Sequence, residues 1–369
     1  MKNCGGVTLS KKLLYVSTSE GVHDQRFVDT ALSDGWSVSY LRCGGFVSVK
    51  KNFEAIMWIG SREPLDQSNQ PRFIEAFEDV VRSVCPDLIQ INPLVPSGAL
   101  ANSEINRPIL SVSWARDLLF DIYQSEWEYG TALNAIGHSN HLLVDCQAVQ
   151  RRAISLGARP DSLTQFPWGV ELDDFCFRFE TRSFDSLKIL SLRSLEEFYK
   201  VDLLVDAAKT FFDRSISQQA KIGIANTGSQ ESELRSKVQS LELNAGVQFI
   251  GVISTESLKF ELKNWNVYVS TSPIDGSSVS LLQCMAAGLI CVVPDIDSNR
   301  EWVDHGKTGF LYRANDSCHL AEVLLDLQKK SDSLDAIRRS ARRIVEERAD
   351  WSVNKKTLLK VYNMVSAEG

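Results

Sequence analysis

The sequence predicts an α/β protein built from two doubly wound parallel sheets, and three observations predict it. Strand and helix patterns alternate through both halves of the chain, the order that generates βαβ units. The strand patterns are short apolar runs without polar alternation, as in sheets covered on both faces. A length of 369 residues, 44% hydrophobic and 24% charged, suits two or three domains with full-sized cores. The stretch from Asn266 to Tyr312 shows the pattern most compactly. Val267 to Thr271 and Leu289 to Val293 read as buried strands; between them Leu281, Leu282, Met285 and Ala286 have helical spacing, Ser277 or Ser278 caps the start and Gly288 ends the helix.

In the first half, Lys12 to Ser17 reads as a strand, Ser19 to His23 as a turn, Asp24 to Leu32 as a helix and Ser37 to Arg42 as the next strand. An amphipathic helix, Phe73 to Cys85, leads to a strand at Leu88 to Ile91 and a turn-rich loop, Asn92 to Gly98, expected to line a cleft. Pro108 to Ser113 is another buried strand. The aromatic, acidic run Phe120 to Tyr129 reads as helical, and helices from Thr131 and Cys146 flank a strand at His141 to Val144. The first domain is expected over 1–172. Leu172 to Ser186, of mixed charge and without periodicity, reads as a hinge, and the second domain is expected over 186–350. It runs through strand Leu187 to Leu192, helix Val201 to Phe212, strand Ala220 to Ala225, helix Ser229 to Leu241 and strand Val247 to Phe249. Arg338, Arg339, Arg342 and Arg343 read as a solvated face rather than a membrane patch.

A net charge of -7 argues against a general nucleic-acid binder, which needs clustered cations. Eight cysteines show no metal spacing, and Cys284 and Cys291 lie in apolar runs, so a reduced, cytoplasmic protein is expected. No secretory leader and no membrane span are expected either.

The chemistry centres on the turn Gly276-Ser277-Ser278-Val279. A helix starting directly beyond a strand presents free N–H groups and a positive dipole end to an anion, phosphate foremost. Asp275 at the strand exit and Gln283 inside the helix can both face the crevice where open α/β sheets bind ligands. Arg193, at another strand exit, supplies a guanidinium fork suited to a diphosphate. The spacing Asp295-Ile296-Asp297 matches a divalent-cation motif, but no third ligand follows nearby, so no metal is expected.

The run S-x-x-D-G-x-S-V-x-L-L-Q-x-M-A-x-G-L, continued by D-I-x-x-N-R-E-W and G-x-T-G-F-L, resembles the donor site of retaining GT-B glycosyltransferases of family GT4. Two Rossmann-like domains facing across a cleft are implied, the first binding the acceptor and the second a nucleotide diphosphate sugar. The family's two glutamates correspond to Asp275, at the transferred sugar, and Gln283, at the ribose. Arg193 corresponds to its diphosphate arginine; Lys200 stands one residue beyond the expected lysine, and reach to the phosphates and a surface position both remain open for it. The resemblance further implies nucleobase contact at Gly251 and Val252, a first loop at Gly21 and His23 against acceptor and phosphates, and a sugar-facing Trp114 with Asp117 in the W-A-R-D segment. Trp114 is equally consistent with core packing. P-W-G-V-E-L-x-x-F is a further shared signature, and the closing helix, about 351–369, is expected to pack back on the first domain. Expected partners are a nucleotide sugar of UDP or GDP type and a saccharide, glycan or glycolipid acceptor, with peripheral contact at the inner membrane face and no cofactor. The rival readings are a binding or scaffold protein without turnover, a sugar-nucleotide epimerase and a phosphorylase.

Overall fold

The computed structural model describes residues 10–44, 56–59, 63–102, 104–177, 184, 186–215, 219–329 and 331–367. The chain forms two units, one of Met1–Phe166 with Val353–Gly369 and one of Pro167–Ser352.

The first unit holds β1 (Lys12–Ser17), β2 (Ser37–Cys43), β3 (Ile56–Ile59), β4 (Leu88–Ile91), β5 (Ile109–Val112), β6 (His141–Val144) and β7 (Leu163–Gln165). They form one sheet of order β3-β2-β1-β4-β5-β6-β7, parallel throughout. The second unit holds β8 (Lys188–Ser191), β9 (Lys221–Ala225), β10 (Val247–Gly251), β11 (Val267–Val269), β12 (Ile290–Pro294) and β13 (Phe310–Tyr312). Its order is β10-β9-β8-β11-β12-β13, again parallel. In each sheet the winding direction reverses after the third strand, so loops leaving β1 and β4, and those leaving β8 and β11, flank the reversal. That position is where open α/β sheets take ligands.

The apolar runs are explained by burial on both faces. In β11 and β12, Val267, Val269, Ile290 and Val292 enter one core with Leu204, Phe211 and Leu324, while Tyr268, Cys291 and Val293 enter the opposite core with Leu282 and Met285. Helix Val279–Ala286 ends at Gly288, whose φ of +75° lets the Leu289 amide donate back to the Cys284 carbonyl (2.9 Å).

Several expectations need correction. The first unit ends at 166, not 172, because the Val170 amide donates to the Ala349 carbonyl and the Trp351 amide to that of Val170, which ties the P-W-G-V segment to the second unit. The closing helix, Trp351–Val365, supplies the first unit from Val353 onward: the Tyr362 hydroxyl donates to Gln90 Oε1 (2.5 Å) and its ring meets Trp36 edge-on. Within the expected hinge, residues 178–183 and 185 lie outside the described residues. The run Phe120 to Tyr129 is not one helix. A 3-10 turn at Asp121–Tyr123 is followed by a helix over Glu126–His138, started by the Ser125 hydroxyl accepting from the Trp127 and Glu128 amides. Thr131 lies inside that helix.

The four arginines are not one solvated face. Arg338 is buried over the Phe177 ring, bonded to Asp335 and to the Gly288 carbonyl. Arg342 donates to the carbonyls of Ala286 and Phe175. Both cations thus meet the negative end of helix Val279–Ala286. Arg339 and Arg343 form i,i+4 pairs with Asp335 and Glu347.

Candidate functional site

Arg193 leaves β8 and Asp275 follows β11, so the reversal brings together side chains 82 residues apart. Arg193 Nη2 donates to Asp275 Oδ2 and to Ser278 Oγ (2.7 Å), and its Nε donates to Ser270 Oγ (3.1 Å). The other Asp275 oxygen accepts from the Gly276 amide (3.1 Å). Side-chain exposure is 11% for Arg193 and 16% for Asp275, so neither charge is freely hydrated. Burial works against the guanidinium's charge, but Asp275, with the Tyr268 and Tyr199 hydroxyls, outweighs it and holds the arginine above its ordinary range.

Neighbouring bonds fix this cluster. The Tyr199 ring lies under the guanidinium, 5.6 Å from ring centre to Cζ, and Thr271 Oγ1 donates to the Tyr199 carbonyl (2.8 Å). Tyr312 donates its hydroxyl to the Ser270 carbonyl (3.0 Å), and Tyr268 shares a hydrogen bond with Ser280 (2.9 Å). Ser278 is the N-cap residue of helix Val279–Ala286 without a side-chain cap bond; its hydroxyl turns to Arg193 instead. Ser277 is buried beside it, and Gln283 is buried inside the same helix. Val279 is the first helical residue. Gly251 ends β10 with φ +72° and accepts from the Asn226 amide (2.7 Å), while Asn226 Nδ2 holds the Leu192 carbonyl (2.8 Å). The segment before Arg193 is therefore stitched to the Gly251 turn, beyond which Val252 stands exposed.

Lys200 is not in this cluster. It takes a left-handed backbone, φ 52° and ψ 41°, and lines a cavity of about 340 Å3 with Glu196, Glu197, Asp202, Glu233 and Lys237. Tyr199 and Ser270 are the site residues that residue-type reasoning passed over. Their signals were an aromatic where a lysine was expected and the hydroxyl run Ser270-Thr271-Ser272 at a strand exit.

In the first unit, His23 and Trp114 stack, centroids 5.2 Å apart at 26°, with Phe27 edge-on to Trp114. His23 is half-buried and its Nδ1 is out of solvent without a hydrogen-bond partner among the described residues; burial first, then Arg26, lowers its pKa to about 4. Trp114 thus packs within the unit and is also half-exposed. Asp117 is turned inward. Its carboxylate accepts from the Ser113 hydroxyl and from the amides of Leu94 (2.8 Å), Trp114 (3.2 Å) and Leu118 (2.9 Å). Burial nevertheless raises its pKa to about 6. Asp117 holds the loop around Ala115, φ +67°, and offers a ligand nothing. The Gly21 amide is likewise occupied, donating to Asp24 Oδ2 (2.7 Å), which also accepts from Ser19 Oγ (2.7 Å). Asp24 Oδ1 accepts from Tyr15 and Asn92 (both 3.1 Å). In the D-x-D motif Asp295 pairs with Arg300, and among the described residues no group of three metal-ligating side chains occurs.

Residues 176–344 match the family described as Glycosyl transferases group 1. This part of the chain is similar to that family. The fold is GT-B, shared along nearly the whole chain with two solved structures. Anabaena Alr3699/HepE in complex with UDP and glucose is 17% identical, with 96% of this chain and 100% of that one covered and a TM-score of 0.78. Sucrose-phosphate synthase from Thermosynechococcus elongatus is 15% identical, covering 98% and 100%, with a TM-score of 0.82. Among curated relatives, the amylovoran biosynthesis glycosyltransferase AmsK of Erwinia amylovora is 24% identical over 56% of this chain and 52% of its own length. The phosphatidyl-myo-inositol mannosyltransferase of Mycobacterium leprae is 30% identical over 38% and 37%. The matched stretch therefore spans about half, or less, of these relatives.

Proposed function

We infer that the chain is a retaining glycosyltransferase that moves a sugar from a UDP- or GDP-sugar to a saccharide or lipid-linked acceptor. The observation that carries this reading is the Arg193, Ser270, Asp275 and Ser278 cluster at the reversal of the second sheet, beside the start of helix Val279–Ala286. Glycosyl transfer makes a diphosphate more negative as the sugar departs, and a guanidinium with helix amides is suited to that developing charge. Asp275 would accept from the sugar hydroxyls, Gln283 would hold the ribose and the Gly251–Val252 turn the base. No side chain is assigned as a covalent nucleophile; the departing diphosphate takes the acceptor's proton on the same face. The first unit would take the acceptor, with the His23–Trp114 stack as its aromatic platform. No metal is required in this reading. UDP is the first nucleotide to try, since HepE holds it. A lipid-linked acceptor would bring the protein to the inner membrane surface as a peripheral visitor; among the described residues no helix is long and apolar enough to cross a membrane.

The test is a thermal-shift panel of UDP, GDP and ADP and their common sugars, with and without Mg2+, on wild type and Arg193→Ala. A nucleotide at about a hundred times its Kd adds roughly 2.7 kcal/mol of stability. Metal-independent stabilisation that Arg193→Ala loses is the expected result, followed by sugar transfer to a saccharide acceptor. Nucleotide binding without any turnover would favour a scaffold, a reading to which the closed Arg193–Asp275 pair lends some support.

A further inference from the structure

The basic group expected to hold a diphosphate and the acidic group expected to hold the sugar are spent on each other. Asp275 Oδ2 sits on Arg193 Nη2, the nitrogen that also serves Ser278, while Nε serves Ser270. Only Nη1 has no partner among the described residues. An Arg fork grips a diphosphate most strongly through two parallel N–H bonds, and here one tine is held by a carboxylate. Two anions next to each other on one half-buried nitrogen repel. The two serines, being neutral and able to donate, can stay.

We propose that Asp275 stands in for the diphosphate in the free chain: donor binding exchanges Asp275 for the diphosphate on Arg193, and the released carboxylate then accepts from the sugar hydroxyls. This rests on the donor-site reading above and goes beyond it by coupling two contacts that would otherwise be independent. A sugar nucleotide supplies both the anion that displaces Asp275 and the hydroxyls that rehouse it. A bare nucleoside diphosphate supplies only the first and leaves the carboxylate with the Gly276 amide but no counter-ion, beside an anion. After transfer the sugar is gone, so Asp275 returns to Arg193 and drives the product out. Asp275 is thereby both a sugar contact and a product-release device.

The experiment is titration calorimetry of UDP, UDP-glucose, GDP and GDP-mannose on wild type, Asp275→Asn, Asp275→Ala and Arg193→Lys, with product inhibition measured on whichever pair binds. Wild type should prefer the sugar nucleotide to the bare diphosphate. Asp275→Asn, which keeps the shape and removes the charge, should tighten the bare diphosphate about tenfold, the size of one charge-assisted hydrogen bond. It should also abolish the preference and strengthen product inhibition as kcat falls. Asp275→Ala repeats the test should the amide variant misfold, and the wild-type preference needs no variant at all. If nothing binds to any form, the donor site and the exchange both fall. If nucleotides bind and Arg193→Lys weakens them, yet removing the carboxylate fails to tighten the bare diphosphate, the donor site stands and the exchange alone is overturned. A wild type that binds bare diphosphate as tightly as its sugar nucleotide overturns it too.

Discussion

The two units place carboxylates at equivalent ends of equivalent sheets and treat them in opposite ways. Among the described residues, Asp24 and Asp117 in the first unit are met only by neutral hydrogen-bond donors, hydroxyls and amides of the chain itself. Asp275 in the second unit is met by a guanidinium and by a single amide, that of the adjacent Gly276. A carboxylate saturated by backbone amides cannot leave without orphaning them, so it belongs to the loop it holds. A carboxylate balanced by a cation can be replaced there by another anion, and Arg193 keeps its serine bonds meanwhile. The same residue type is scaffold in one unit and exchangeable in the other, and its partner's chemistry makes the difference.

The contrast can be broken most sharply at Arg193. Its replacement by alanine should weaken UDP at least about thirtyfold by calorimetry, since truncating one member of a desolvated charge pair typically costs about 2–5 kcal/mol in binding. Asp117→Ala should instead lower folding stability, by about 2.5 kcal/mol, because one hydroxyl and three buried amides lose their acceptor. Urea unfolding measures this, and UDP affinity should not follow it. A smaller effect comes from His23. Its folded pKa, about 4, lies below the ordinary 6.5, so the unfolded chain binds more protons in this range. Its contribution is complete above about pH 6.5 and is lost as pH falls towards 4, roughly 1–2 kcal/mol after allowing for partial exposure. Urea midpoints at pH 4.5 and 7 should converge in His23→Phe relative to wild type. The rise of Asp117 to about 6 works in the reverse sense, its stabilisation fading as pH climbs through that value, which is why the contribution of His23 is read from the variant. Smallest of all, EDTA should leave transfer unchanged, and Asp295→Asn should shift stability by no more than about 0.5 kcal/mol, as for other exposed pairs.

Much of the second sheet was legible because β11 and β12, and β8 and β9 beyond their first lysines, are buried on both faces. The three strands that went unread, β3, β7 and β13, all lie at sheet edges and are three or four residues long, too short for a period to register. Arg193 and Asp275 could be picked out singly, each from its strand exit. Their pairing could not, because it depends on which strands become neighbours across the reversal. Asp117 was misjudged for a related reason: a carboxylate that binds ligand and one that binds its own loop are the same letter, and the Leu94 amide that decides the matter comes from 23 residues away. The arginine run was misread because its i,i+4 pairs with Asp335, Glu346 and Glu347 are the usual mark of a solvated helix. What buries Arg338 is the Phe177 ring and the end of another helix.

The first unit takes its last segment from Val353 onward, with Tyr362 bonded to Gln90 and packed on Trp36. During synthesis, domains ordinarily close in the order in which they emerge. Here that order is inverted, since the unit begun first takes in the segment from Val353 onward, which is made after all the strands of the later unit. A chain cut between Ser352 and Tyr362 would therefore carry the second unit whole, joined to a first unit in which Gln90 and Trp36 lack Tyr362.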